Sequence, residues 1–179
     1  MKIGIVAMGR TGGYNLGLWL SNEFGIPYYH EPINHHQTLI GEHYVVKYLN
    51  TEWWELKEKP EFDKWIVLIR ENIRESAISH LKAKESGNWR GTYIVTDEWI
   101  RENEKRIKGA EVWIEKANTE LLNINEIGLH ITYEGIYNRG NDIQKVLEYL
   151  NIENPKYLHL LNPSNRLRKV SGAQSKPLI

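Results

Sequence analysis

Three short stretches carry residues that could do chemistry. Residues 7–20 read AMGRTGGYNLGLWL and follow the apolar run MKIGIV. A glycine turn holding a cation, set between a strand and a helix, is built for phosphate, because backbone amides and the positive helix end converge there. Arg10, Thr11, Gly12, Gly13, Tyr14 and Asn15 form that turn. Residues 67–89 read VLIRENIRESAISHLKAKESGNW, a strand ending in Arg70 and then a helix bearing Ser79. A guanidinium forks onto a phosphate dianion, and a nearby hydroxyl adds a further hydrogen bond. Residues 30–34 read HEPIN, in which Glu31 is a candidate proton acceptor. His30, His35, His36 and His43 crowd the same region. Neutral imidazoles bind metals readily, but this spacing matches no zinc pattern, so no metal is expected.

The phosphate at residues 9–13 has three candidate owners. A dinucleotide fits A-x-G-x-x-G with one glycine missing, and Glu31 lies 21 residues after Arg10, near where a ribose-binding acid belongs. So short a chain leaves little room for a substrate domain. A nucleoside triphosphate would call for G-x-x-x-x-G-K-[ST], and no Gly-Lys-Ser/Thr is present. The third owner is a nucleotide carrying a group to be transferred.

Elements that would position these residues alternate along the chain. Strands are expected at 2–8, 26–30, 43–49, 64–70 and 128–133. Helices are expected at 14–23, 72–86 and 141–150, with a long charged helix over 96–124 that breaks near Gly109. Asn72 is the expected cap of the second helix and Gly87 its stop; Thr96 or Asp97 caps the long one. This order predicts a single-domain α/β fold, a P-loop-like parallel β-sheet flanked by helices on both faces. Its loops at 9–13, 31–36 and 70–72 should open on one edge, at the carboxyl ends of the strands.

Composition narrows the partners. The 179 residues suffice for one domain with a core. Lys plus Arg and Asp plus Glu are both 23, which argues against a general nucleic-acid binder and leaves room for a local basic pocket. With no cysteine, disulfides and thiolate metal sites are impossible. No apolar run reaches the roughly 18 residues of a membrane span, and no signal peptide is recognised, so a soluble cytoplasmic protein is expected.

GRTGGYNL resembles the 5′-phosphosulfate loop of sulfotransferases. Residues 67–89 resemble the 3′-phosphate segment of the same superfamily, in the form found in bacterial trehalose and nodulation-factor sulfotransferases. HEPIN is similar to the Glu-Pro of carbohydrate sulfotransferases. VVKYL at 45–49, ITYEGIYNRGNDIQKVLEYLNI at 131–152 and NRLRKVSG at 165–172 extend the likeness over nearly the whole chain. Gly13 and Tyr14 depart from it, standing where the family places Ser or Thr.

The resemblance implies the co-substrate 3′-phosphoadenosine-5′-phosphosulfate, a small-molecule or carbohydrate acceptor, and no metal, nucleic acid or membrane. It implies that Arg10 and the amides of residues 11–14 hold the 5′-phosphate, with Asn15 beside them. Arg70 and Ser79 would hold the 3′-phosphate, joined by Arg168 and Lys169 of the terminal segment. Glu31 would be the base, or a neighbouring histidine in its place, and Lys47 would approach the sulfuryl group. The chain is short for this superfamily, so the acceptor lid is either reduced or supplied by a second copy in a homodimer. The alternatives are a kinase-like nucleotide-binding enzyme and a donor-binding relic without turnover.

Overall fold

A computed structural model describes residues 1–89, 93–124 and 128–161, together with the backbone of 168–170. The strands are β1 (Lys2–Ala7), β2 (Tyr28–His30), β3 (Tyr44–Leu49), β4 (Lys64–Ile69), β5 (Ile94–Thr96), β6 (Leu129–Thr132) and β7 (Arg168–Val170). The helices are α1 (Gly13–Phe24), α2 (Asn50–Glu55), α3 (Ile73–Ser86), α4 (Asp97–Glu102), α5 (Glu104–Leu122) and α6 (Asn141–Leu150). Five strands form an all-parallel sheet in the order β2-β3-β1-β4-β6. The chain leaves β1 toward one edge and later crosses to the other, so the switch point of the sheet falls at the carboxyl end of β1, where sheets of this kind bind ligands.

Alternation along β1 builds two cores. Ile3, Ile5 and Ala7 pack with Leu16, Trp19 and Leu20 of α1 and Val146 of α6. Val6 and Met8 pack on the other face with Ala77 and Ile78 of α3 and Ile114 of α5. Both faces are therefore buried, which a parallel sheet requires. No described helix is long and apolar enough to cross a membrane.

Local signals set the helix ends. The Asn72 side chain accepts from the Glu75 amide, and Gly87 ends α3 at φ 68°. Thr96 accepts from the Trp99 amide and starts α4. The break expected near Gly109 falls instead at Asn103, whose side-chain amide donates to the Trp99 carbonyl and competes with the helical backbone there. Gly109 faces open space, so α5 runs through it at the usual cost of about 1 kcal/mol. A small second sheet, β5 beside β7, was not anticipated: the tail reads as polar, and its pairing with 94–96 has no local signal.

Candidate nucleotide and transfer site

A cavity of about 770 Å³ opens at the carboxyl ends of β1, β3 and β4. It gathers the three stretches expected to meet there: the turn at 9–13, Glu31 with its loop, and Arg70 with Ser79. A hollow of about 890 Å³ at the opposite edge, against Met1, Lys2, His43 and Asp63, has neither a glycine turn nor a helix N-terminus, so the cavity at the carboxyl edge is the candidate site.

The turn is tightly determined. Gly12 sits at φ 78°, where an added Cβ would lie 2.3 Å from the Tyr137 ring, so glycine is needed for both backbone and space. Tyr137 donates from its hydroxyl to the Gly12 carbonyl at 2.6 Å, pinning the turn from across the sheet. It lies in a π-helical turn, Gly135–Arg139, a rare conformation enriched at functional sites. Thr11 is buried and its hydroxyl donates to the Met8 carbonyl at 2.8 Å, so what it can offer a phosphate is its backbone amide. The first-turn amides of α1 have no partner within the helix. Gly13 leaves room for Lys47: a Cβ there would sit 3.3 Å from the lysine Cε. A side chain at position 13 would therefore require Lys47 to shift. Tyr14 packs edge-on against His30, at 5.0 Å between centroids.

Arg10 takes the left-handed conformation, φ 65°, which is strained for a residue with a side chain and concentrates at functional sites. Its Nε donates to the Ser79 Oγ at 3.0 Å and its Nη1 to the Trp89 carbonyl. The guanidinium carbon lies 5.0 Å from the Tyr93 ring centroid. Burial pushes its pKa down, Tyr93 opposes that, and the charge of Arg70 adds to it. Two guanidiniums thus converge on one site, an arrangement that favours an anion between them.

Arg70 is 4% exposed. Its Nη1 donates to the Arg10 carbonyl at 3.3 Å, Nη2 lies 3.3 Å from Glu75 Oε2, Nε lies 3.5 Å from Glu134 Oε1, and the guanidinium sits 4.3 Å from the Tyr133 ring centroid. Glu71 pairs elsewhere, with Arg139. Sequence reasoning missed Glu134: it also accepts from the amides of Glu71 and Asn72, at 2.9 and 3.2 Å, and so fixes the turn that aims Arg70. Its separation of 63 residues from Glu71 leaves no local signal.

At the other end of the cavity Lys47, 3% exposed, donates to Glu31 Oε1 at 2.5 Å. Glu31 is also left-handed, φ 50°. Burial alone would raise its pKa; the charge and hydrogen bond of Lys47 outweigh that and hold the carboxyl below its usual range. Burial lowers the pKa of Lys47, and Glu31 offsets part of the effect. Glu52 is a second missed residue. Buried, it accepts from the amides of Asn34 and Leu49, each at 2.8 Å, and so ties the Glu31 loop to the end of β3.

His80 is flanked by Trp89 at 5.2 Å and Trp113 at 5.0 Å, both tryptophans half-exposed at the cavity wall. Trp53, by contrast, is a core residue. The backbone of Arg168 and Lys169 pairs with Ile94 and Val95, while their side chains lie outside the described residues. No protein-family model and no curated protein matches the chain.

Proposed function

We propose that this protein transfers a sulfuryl group from 3′-phosphoadenosine-5′-phosphosulfate to a hydroxyl acceptor, a carbohydrate or another small molecule. The observation carrying this reading is the convergence of Arg10, Arg70 and Ser79 at the glycine turn, with the Glu31–Lys47 pair in the same cavity. The 5′-phosphate sits on the turn and the first amides of α1, and the 3′-phosphate between Arg70 and Ser79. The acceptor oxygen attacks sulfur in line; the bond from sulfur to the 5′-phosphate oxygen breaks, and adenosine 3′,5′-bisphosphate leaves with that electron pair. Glu31 takes the acceptor proton. Lys47 turns from Glu31 to the bridging oxygen as charge develops there. Losing its ammonium partner, Glu31 returns toward the raised pKa that burial favours, so the base strengthens as the bridging oxygen takes up charge.

The pairing of Glu31 with Lys47 favours a second reading, a protein that binds the bisphosphate without turnover. Calorimetric titration with adenosine 3′,5′-bisphosphate, ATP and NAD, followed by transfer of labelled donor to sugars and alcohols, tests both. Bisphosphate binding with transfer supports the proposal. Binding without transfer to any acceptor supports the second reading, and binding of NAD or ATP alone overturns both.

A further inference from the structure

We propose that His30, Glu31 and His35 form a site for one divalent transition-metal ion of the zinc class, and that the ion competes with Lys47 for the Glu31 carboxylate. One ligand atom from each of the three residues lies within 4.8 Å of the others. Sequence spacing concealed this, because the grouping is made by backbone geometry: Glu31 is left-handed, and the His35 amide closes the turn on the Glu31 carbonyl at 3.0 Å. That turn brings the side chains of 31 and 35 together beside the end of β2. The rings of His30 and His35 stack at 5.9 Å between centroids.

His30 is already oriented as a ligand. Its Nδ1 lies 3.1 Å from the Tyr28 hydroxyl, while Nε2 faces Glu31 Oε1 at 3.4 Å. Metal-binding histidines are characteristically fixed in this way, through a hydrogen bond from the other ring nitrogen. Two imidazoles and one carboxylate suit zinc and its neighbours, and three protein ligands leave a coordination position open to the cavity. Lys47 holds Oε1, so an incoming dication binds against an ammonium and the two cations exclude each other. Under the sulfuryl-transfer reading, a bound ion removes Glu31 from proton transfer. The inference does not depend on the sulfuryl-transfer reading, because metal binding is measured without donor or acceptor.

The test is calorimetric titration of the full chain with zinc chloride near neutral pH, repeated with cobalt(II) and read by visible absorption. One equivalent should bind. His35→Ala and His30→Ala should each abolish that binding, whereas His36→Ala and His43→Ala should leave it unchanged. Tyr28→Phe should weaken it by about 10–100-fold. Lys47→Met should tighten it, since the competing cation is gone. His35 is exposed, so its variant tests the site without endangering the fold. Absence of saturable zinc binding, retention of it in His35→Ala, or its loss in His36→Ala overturns the proposal and leaves bisphosphate binding untouched.

Discussion

Replacing Arg70 by alanine separates two roles that one guanidinium performs. It is a structural hub, held among the Arg10 carbonyl, Glu75, Glu134 and the Tyr133 ring. Removing one partner of a buried ion pair costs about 3–5 kcal/mol. Here Glu134 keeps its two backbone donors and Glu75, whose side chain is 30% exposed, can turn to water. The loss should therefore be smaller, about 2–3 kcal/mol, which for a chain of this size lowers the melting temperature by about 4–12 °C. In the proposed complex the same side chain forks onto the 3′-phosphate. A charge-assisted contact of this kind is worth about 1.5–3 kcal/mol, or roughly 10- to 150-fold in affinity.

The two effects part in Arg70→Lys. The ammonium keeps a charge between Glu75 and Glu134 and should recover much of the lost stability. It has no planar fork, so bisphosphate affinity should stay well below wild type. Calorimetry with adenosine 3′,5′-bisphosphate, run below the lowered melting temperature, reads this directly. A folded Arg70→Ala protein with wild-type affinity would refute the reasoning: the guanidinium would then serve the fold alone, and the two-ended grip on the donor would be wrong.

Glu75→Gln should tighten bisphosphate binding while lowering stability slightly, because it removes the negative charge that faces Arg70 at the cavity; isothermal titration and a melting curve check the pair of effects. Tyr137→Phe removes the hydroxyl from the Gly12 carbonyl, which still accepts from the Leu16 amide at 3.1 Å. The expected loss is about 1 kcal/mol, a melting temperature about 2–4 °C lower, with bisphosphate affinity reduced severalfold as the turn loosens. Glu31→Gln should slow transfer by about 10²–10⁴-fold while leaving bisphosphate affinity nearly unchanged. It also tests the pH dependence. The depressed carboxyl pKa of Glu31 contributes stability that is present above its ordinary value of 4.5 and lost as pH falls through the folded value, so the wild-type advantage over Glu31→Gln in melting temperature should shrink as pH drops below 4.5.

What was legible in the sequence was local. The alternation of Ile3, Ile5 and Ala7 with Val6 announces a strand buried on both faces, and Asn72, Gly87 and Thr96 act as caps within a few residues of themselves. Paired with parallel-sheet topology, these signals suffice to bring Arg10, Arg70 and Ser79 to one edge. What stayed hidden depends on which strand ends become neighbours. Nothing near Glu134 foretells that it will cap the turn after β4, and nothing near Tyr137 foretells its hold on Gly12. The same blindness extends to charge. Read singly, Arg10, Lys47 and Arg70 look like cations waiting for an anion. In the fold, Lys47 lies against Glu31 and Arg70 between Glu75 and Glu134, while Arg10 is held by Ser79 and the Trp89 carbonyl. An anionic ligand therefore enters by exchanging partners and does not fill an unopposed positive hole. Exchange at Lys47 or at Arg70 frees a carboxylate, and in the proposed reaction the one freed from Lys47, Glu31, serves as the base.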